Sequence, residues 1–65
     1  MEHQFQYRNY FGSINYSEED KVYWGKILYI TDSVTYEGQD EADLQQSFED
    51  TVDDYIDMKL RYGKE

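Results

Sequence analysis

A long amphipathic segment near the carboxyl end, residues 40–62, limits the folds that this sequence can adopt. At about 100° per residue, seven of its positions, apolar or aromatic except for one threonine, fall in one arc about 120° wide, as on a helix that buries one face. Those positions are Leu44, Phe48, Thr51, Val52, Tyr55, Met58 and Tyr62. In a chain of 65 residues, the remaining sequence must supply the surface that covers this face.

Both ends of the segment carry residues that favour helix termini. Asp40 is suited to cap the first turn, and Gly63 is suited to stop the helix. Carboxylates suit the positive end of the helix dipole, and cations suit the negative end. The sequence places Glu41 and Asp43 at the first end and Lys59, Arg61 and Lys64 at the second. We therefore predict a helix over about residues 40–62.

The preceding residues have the composition of β-strands. Segments 6–16, 22–30 and 33–37 are rich in β-branched and aromatic residues, and polar turns at 17–20 and 31–33 separate them. Alternation in the first segment makes Tyr10, Gly12, Ile14 and Tyr16 a plausible inward face. The predicted fold class is α+β: a three-stranded antiparallel sheet with one C-terminal helix packed on one face, in the order βββα. A single domain over residues 1–65 fits this length.

The chain is strongly acidic and also rich in aromatic residues. Fifteen Asp and Glu against six Lys and Arg give a net charge of -9, and aromatic residues make up 18% of the chain. Acidity alone would favour disorder, but so many aromatic side chains indicate a folded domain with a negative surface. Such a surface repels nucleic acid and anionic membranes, and it attracts basic proteins. We expect no direct nucleic-acid or membrane partner.

Acidic residues form the first candidate contact surface. At helical spacing they occupy the arc opposite the apolar face, and a second acidic group lies in the first turn between strands. We predict partner-binding roles for Asp43, Asp50, Asp53, Asp54 and Asp57 on the helix, and for Glu18, Glu19 and Asp20 in the turn. The alternative for the helix residues is a solvated face that keeps the protein soluble, since exposed ion pairs contribute only about 0.2 to 1 kcal/mol each.

The second candidate surface is the side of the sheet that one helix cannot cover. Exposed aromatic patches on a small domain usually mark an interface, so we expect Trp24 or its neighbours to contact a partner or a second copy in a homodimer. The alternative is a half-solvated antiparallel sheet with scattered tyrosines, which needs no partner. The apolar residues considered for this face are Tyr7, Phe11, Tyr23, Trp24, Leu28 and Ile30.

The sequence offers little for catalysis, so we expect a binding protein without catalytic residues, metal or cofactor. It has no cysteine, and its single histidine, His3, is close to the amino terminus. It has no glycine-rich phosphate-binding loop. The longest apolar run, Ile27 to Ile30, is far shorter than the roughly 20 residues of a membrane helix, and the first residues do not resemble a signal peptide. We expect a cytoplasmic protein.

Several short motifs together resemble the HicB family of antitoxins, in particular its N-terminal module with a partial RNase H-like fold. The resemblance covers about residues 7–62, and its most specific parts are the Asp-x-Val-Thr-Tyr-Glu-Gly segment and the Val-Asp-Asp-Tyr segment. The matching motifs lie at 10–14, 18–20, 25–27, 32–38, Leu44, Phe48 and 52–55.

The resemblance implies a function by protein contact. Members of the family neutralise HicA, a small basic toxin that cuts RNA and has a double-stranded-RNA-binding-like fold. They usually continue into a DNA-binding module, and this sequence ends at Glu65 where such a module would begin, so we expect none in this domain. An alternative function is that of a stand-alone acidic inhibitor, for instance a phage anti-CRISPR, whose carboxylates mimic the phosphates of nucleic acid. A nuclease remnant is a weaker third possibility.

Overall fold

The computed structural model describes residues 4–62, with five short strands and one long helix. β1 and β2 form a two-stranded antiparallel sheet, and β3, β4 and β5 form a three-stranded antiparallel sheet in that order. The predicted α+β class, with a three-stranded antiparallel sheet and a C-terminal helix, is confirmed, and β1–β2 is an addition to the predicted βββα order. The elements are β1 Gln4–Tyr7, β2 Tyr10–Ser13, β3 Asn15–Ser17, β4 Val22–Lys26, β5 Thr35–Gly38 and α1 Glu41–Tyr62.

Some predicted features lie outside the described residues. These are the position of His3, the helix stop at Gly63, the cation Lys64 and the side chain of Tyr62.

The strand predicted over residues 6–16 is wrong as a single strand, because the chain reverses at Arg8 and Asn9. Both residues have positive φ, 52° and 69°, and Tyr7 pairs directly with Tyr10. Two left-handed residues in succession make a hairpin turn whose twist matches that of the flanking strands. The usual signal for such a turn is a glycine after Asn or Asp, and Arg-Asn lacks it.

After the hairpin turn, the predicted segment pairs with the strand that contains Trp24 and Ile27, but the pairing is interrupted at residues 13 and 14. Gly12 of β2 bridges to Ile27, and Asn15 of β3 pairs with Trp24, so both pairs keep the same antiparallel register. Between them, the amide of Lys26 donates to the side-chain oxygen of Ser13 at 3.0 Å. β2 and β3 therefore run along the same neighbouring strand, with a local break at residues 13 and 14.

The break points the backbone carbonyl of Ser13 towards the core. The Tyr36 hydroxyl donates to this carbonyl at 2.8 Å. A Cβ placed on Gly25 would collide with the same carbonyl oxygen, so glycine is required at this close approach of two strands.

The predicted helix is confirmed, with Asp40 as its cap. The Asp43 amide donates to Asp40 Oδ1 at 2.8 Å, and the Gln39 amide donates to Asp43 Oδ2 at 3.1 Å. This reciprocal arrangement satisfies amides at the start of the helix in the manner of a capping box. Acidic residues in the first turn and the cations Lys59 and Arg61 in the last turn complement the helix dipole.

The helix packs on the three-stranded sheet through a small aromatic and aliphatic core. Phe48 is fully buried, with its ring centroid 5.5 Å from that of Phe5 and 5.4 Å from that of Tyr36. The buried residues are Ile27, Tyr36, Leu44, Phe48, Val52 and Tyr55.

The carboxyl-terminal turns of the helix run past the core. Met58, predicted to lie on the buried face, is 44% exposed. A helix of 22 residues is about 33 Å long, whereas strands of four or five residues span only about 17 Å. The periodicity therefore continues beyond the sheet that could bury it.

Two predictions about inward and outward faces need correction. Tyr16, predicted inward, is 49% exposed, because it lies at the edge of the sheet, against the ring of Tyr23. Tyr7, Tyr23 and Ile30, considered for the uncovered face, instead pack against the core. The β1–β2 hairpin carries Tyr7 to the side of the helix, and the chain leaves β4 before Ile30, so a simple alternation along one strand does not apply.

Candidate functional site: the helix-free face of the sheet

The three-stranded sheet has one face covered by the helix and one face left open. On β4, Gly25 is buried on the helix side, while Trp24 and Lys26 are exposed on the other side. On β5, Tyr36 is buried and Glu37 is exposed. Alternation along paired strands therefore defines an open face. Its residues are Asn15, Ser17, Val22, Trp24, Lys26, Thr35 and Glu37.

Trp24 lies in the middle of this open face, 41% exposed. Its partner across the β4–β5 ladder is Glu37. Directly opposed residues of an antiparallel pair have Cβ atoms about 4.5 to 5.5 Å apart, so the two side chains leave the sheet as neighbours on the open face. The residues around them form a shallow depression of about 430 Å³ on the open face. It is lined by Ser17, Asp20, Val22, Trp24, Thr35, Tyr36 and Glu37.

The β3–β4 turn contains three of the predicted acidic residues and places one of them, Asp20, in the lining of the depression. Ser17 organises this turn: its carbonyl accepts from the Lys21 amide at 2.7 Å, and its hydroxyl accepts from the Asp20 amide at 3.3 Å. Lys21 adopts a positive φ of 57°, which closes the loop. Glu18 and Glu19 are exposed in the same turn, and Asp20 lines the depression itself. Trp24 and Asp20 thus belong to one surface, with Glu18 and Glu19 in the adjoining turn.

The carboxylates of the depression have no cation bound to them within the described part of the chain. The ion pairs found there join Arg8 to Asp53 and Arg61 to Asp57. Lys26 shares the open face but forms no ion pair with Glu37. Glu37 therefore has no cation at ion-pair distance among the described residues.

The helical acidic residues lie on the other side of the molecule, so the predicted set does not form one surface. Asp43 is used in the helix cap, and Asp57 pairs with Arg61 at 3.4 Å. Asp50 is exposed and accepts from the Gln46 side chain at 3.2 Å. Asp54 is exposed beside a smaller depression lined by Val34, Thr51, Asp54, Tyr55 and Met58.

Asp53 has a structural contact that the sequence did not indicate. Its two carboxylate oxygens accept from Arg8 at 2.8 Å and from the Tyr7 hydroxyl at 3.2 Å. Desolvation, and then the bond to Asp53, raise the pKa of Tyr7 above its usual value. Asp53 thereby attaches the β1–β2 hairpin to the helix, and much of its charge is already compensated.

The groups with shifted pKa values are tyrosines that hold the fold together. Burial raises the pKa of Tyr36 to about 12. Burial raises the pKa of Tyr55 as well, and its hydrogen bond to Asp32, at 3.0 Å, adds to the effect. Neither shift makes a group that could exchange protons near neutral pH. Within residues 4–62, no three His, Cys, Asp or Glu side chains are grouped closely enough to hold a metal ion.

The sequence analysis proposed Trp24 and Asp20, which line the depression, but it did not propose the residues beside them. Glu37, Val22 and Thr35 contribute to the depression and were not proposed as site residues. The available signal was the alternation of Thr35, Tyr36 and Glu37: once Tyr36 is assigned to the core, its neighbours must point outward. What could not be read was the register that sets Glu37 opposite Trp24.

Comparison of the chain with protein-family models, with curated proteins and with solved structures finds no match in any of the three. The helix of the described residues does not combine the length and apolar character needed to cross a bilayer.

Proposed function

We propose that this protein is a non-catalytic binding domain that neutralises a basic RNA-cutting toxin of the HicA type by direct contact. The observation that carries the proposal is the open face, where the half-exposed Trp24 is placed among Asp20 and Glu37. An aromatic anchor with acidic neighbours is suited to a surface rich in Lys and Arg. The HicB-like motifs in the sequence support the same function.

The physical logic is competition for one basic surface. A toxin that holds RNA must present cations to phosphate groups. Carboxylates placed on that surface compete with the phosphates, and burial of Trp24 adds an apolar contribution that RNA phosphates do not provide. The net charge of -9 also speeds encounter with a basic protein at low salt.

A second candidate function is a stand-alone acidic inhibitor that imitates nucleic acid. It is favoured by the row of exposed carboxylates on the helix, Asp50, Asp54 and Asp57. At a rise of about 1.5 Å per residue, the first two are about 6 Å apart along the helix axis. In this alternative the helix, and not the open face, would contact a nucleic-acid-binding complex.

The test is an RNA-cleavage assay with a purified HicA-type toxin, titrated with wild-type protein and two double variants. Trp24→Ala with Glu37→Gln removes the anchor and one carboxylate from the open face. Asp50→Asn with Asp54→Asn removes two charges from the helix side. We expect the first variant to inhibit at least about tenfold less well and the second to stay within about twofold of wild type, because fully covered aromatic anchors carry most interface energy.

The salt dependence and the reverse pattern complete the test. Inhibition should weaken between about 50 mM and about 500 mM NaCl, because the charged surfaces are screened. Loss of inhibition in the helix variant alone would favour the mimic. No inhibition of the toxin by wild-type protein would refute the proposed function.

A further inference from the structure

We propose that the depression on the open face is a binding subsite for an arginine side chain of the partner, stacked on Trp24 and paired with Glu37. This inference rests on the proposed function and names the chemical group that the open face would recognise. A cation with a flat apolar surface suits this subsite, because its lining combines an indole side chain with a carboxylate.

The first support is the composition of the subsite. A guanidinium group stacks on aromatic rings and is more weakly hydrated than an ammonium group, so it fits an indole better than lysine does. It also presents a planar fork of donors to a carboxylate. Trp24 and Glu37, directly opposed across the β4–β5 ladder, provide both features side by side.

The second support is the shape and charge of the depression. Its volume of about 430 Å³ is enough for one long side chain, and Asp20 adds a second carboxylate to its lining. Val22 and Thr35 provide apolar contact for the methylene groups of an arginine. Within the described residues, neither Glu37 nor Asp20 is engaged in an ion pair. An incoming cation therefore has no ion pair of the described residues to break.

The chain offers a direct optical probe of this subsite, because Trp24 is its single tryptophan. The experiment titrates the intact protein at low salt with blocked tripeptides of arginine, lysine or citrulline, and follows tryptophan fluorescence. Citrulline keeps the planar shape of arginine without the charge. We expect a saturable change with tri-arginine, a weaker one with tri-lysine and none with tri-citrulline.

Two variants with the same loss of charge locate the effect. Glu37→Gln should weaken tri-arginine binding by about two- to fivefold, the range expected for an exposed ion pair. Glu49→Gln, on the helix, is the matched control and should leave the affinity within the error of the titration. Equal weakening by both variants, or equal responses to tri-arginine and tri-lysine, would show only general attraction to an acidic protein and would overturn the subsite.

A second copy of the chain is the other possible occupant of the open face. Sedimentation over a range of protein concentrations, on wild type and Trp24→Ala, tests it. A dimer that Trp24→Ala dissociates would overturn the arginine subsite, since the face would then be covered by the protein itself. A monomer in both supports the subsite as an external binding site.

The outcomes separate this inference from the proposed function. Toxin inhibition without a specific response to tri-arginine would refute the subsite and leave the proposed function standing. A specific response to tri-arginine without toxin inhibition would support the subsite and refute the toxin as the partner.

Discussion

Replacing Phe48 with alanine should bring this domain close to unfolding. Phe48 is fully buried, between Phe5 and Tyr36. Losing a buried phenyl ring costs about 2 kcal/mol of transfer free energy. A residual cavity of roughly 80 Å³ adds about 2 kcal/mol at about 24 cal/mol per Å³, which places the substitution within the usual range of about 3 to 5 kcal/mol. A domain of 65 residues has roughly 3 to 10 kcal/mol in total.

The assay is urea unfolding followed by far-ultraviolet circular dichroism, with Leu60→Ala as the matched control. Leu60 is on the same helix but is 80% exposed, so its truncation should change the free energy of unfolding by less than about 0.5 kcal/mol. Phe48→Ala should lower the unfolding midpoint sharply or abolish the folded baseline. A cost below about 1 kcal/mol for Phe48→Ala would refute the packing of the helix on the sheet through this ring.

Three further substitutions test other contacts. Asp53→Asn should cost no more than about 1 kcal/mol of unfolding free energy, because its ion pair with Arg8 is about half exposed; a denaturation curve with a larger loss would contradict this. Gly12→Ala should lower the free energy of unfolding by about 1 to 3 kcal/mol in the same assay, because the added Cβ would lie 2.7 Å from the Phe48 ring. Tyr36 has its pKa raised to about 12 in the folded state, above the ordinary value of 10.0, so its stabilisation is complete below pH 10 and is lost as the pH rises through 12. Denaturation at pH 9 and at about pH 11 should show this loss in the wild type and less of it in Tyr36→Phe.

The helix could be predicted because many apolar residues recur at the helical period of about 3.6 residues. Over 22 residues the apolar positions repeat often enough to fix the buried face, and Asp40 marks the start. The strands are only three to five residues long, so two or three positions per face cannot fix a register. The turn at Arg8 and Asn9 also lacks the glycine by which a two-residue hairpin turn is usually predicted from sequence.

The candidate site was partly predictable for a related reason. Trp24 could be proposed from its strand and its chemistry alone. Glu37 became significant only through its pairing with Trp24, which depends on the β4–β5 register, a property of two segments. For Asp53, the sequence predicted its position on the exposed arc of the helix, but its contacts with Arg8 and Tyr7 depend on the unexpected hairpin.

The division of acidic residues between two sides of the molecule leads to a kinetic prediction for the proposed complex with a basic toxin. All carboxylates contribute to the long-range field that guides a basic partner, but under the proposal only those of the open face remain in contact after docking. Neutralising Asp50 and Asp54 should therefore slow association modestly and leave dissociation unchanged, whereas Glu37→Gln should mainly speed dissociation. Surface plasmon resonance with immobilised toxin measures both rates. Faster dissociation in the helix variant, with Glu37→Gln like wild type, would assign the contact to the helix and contradict a docked open face.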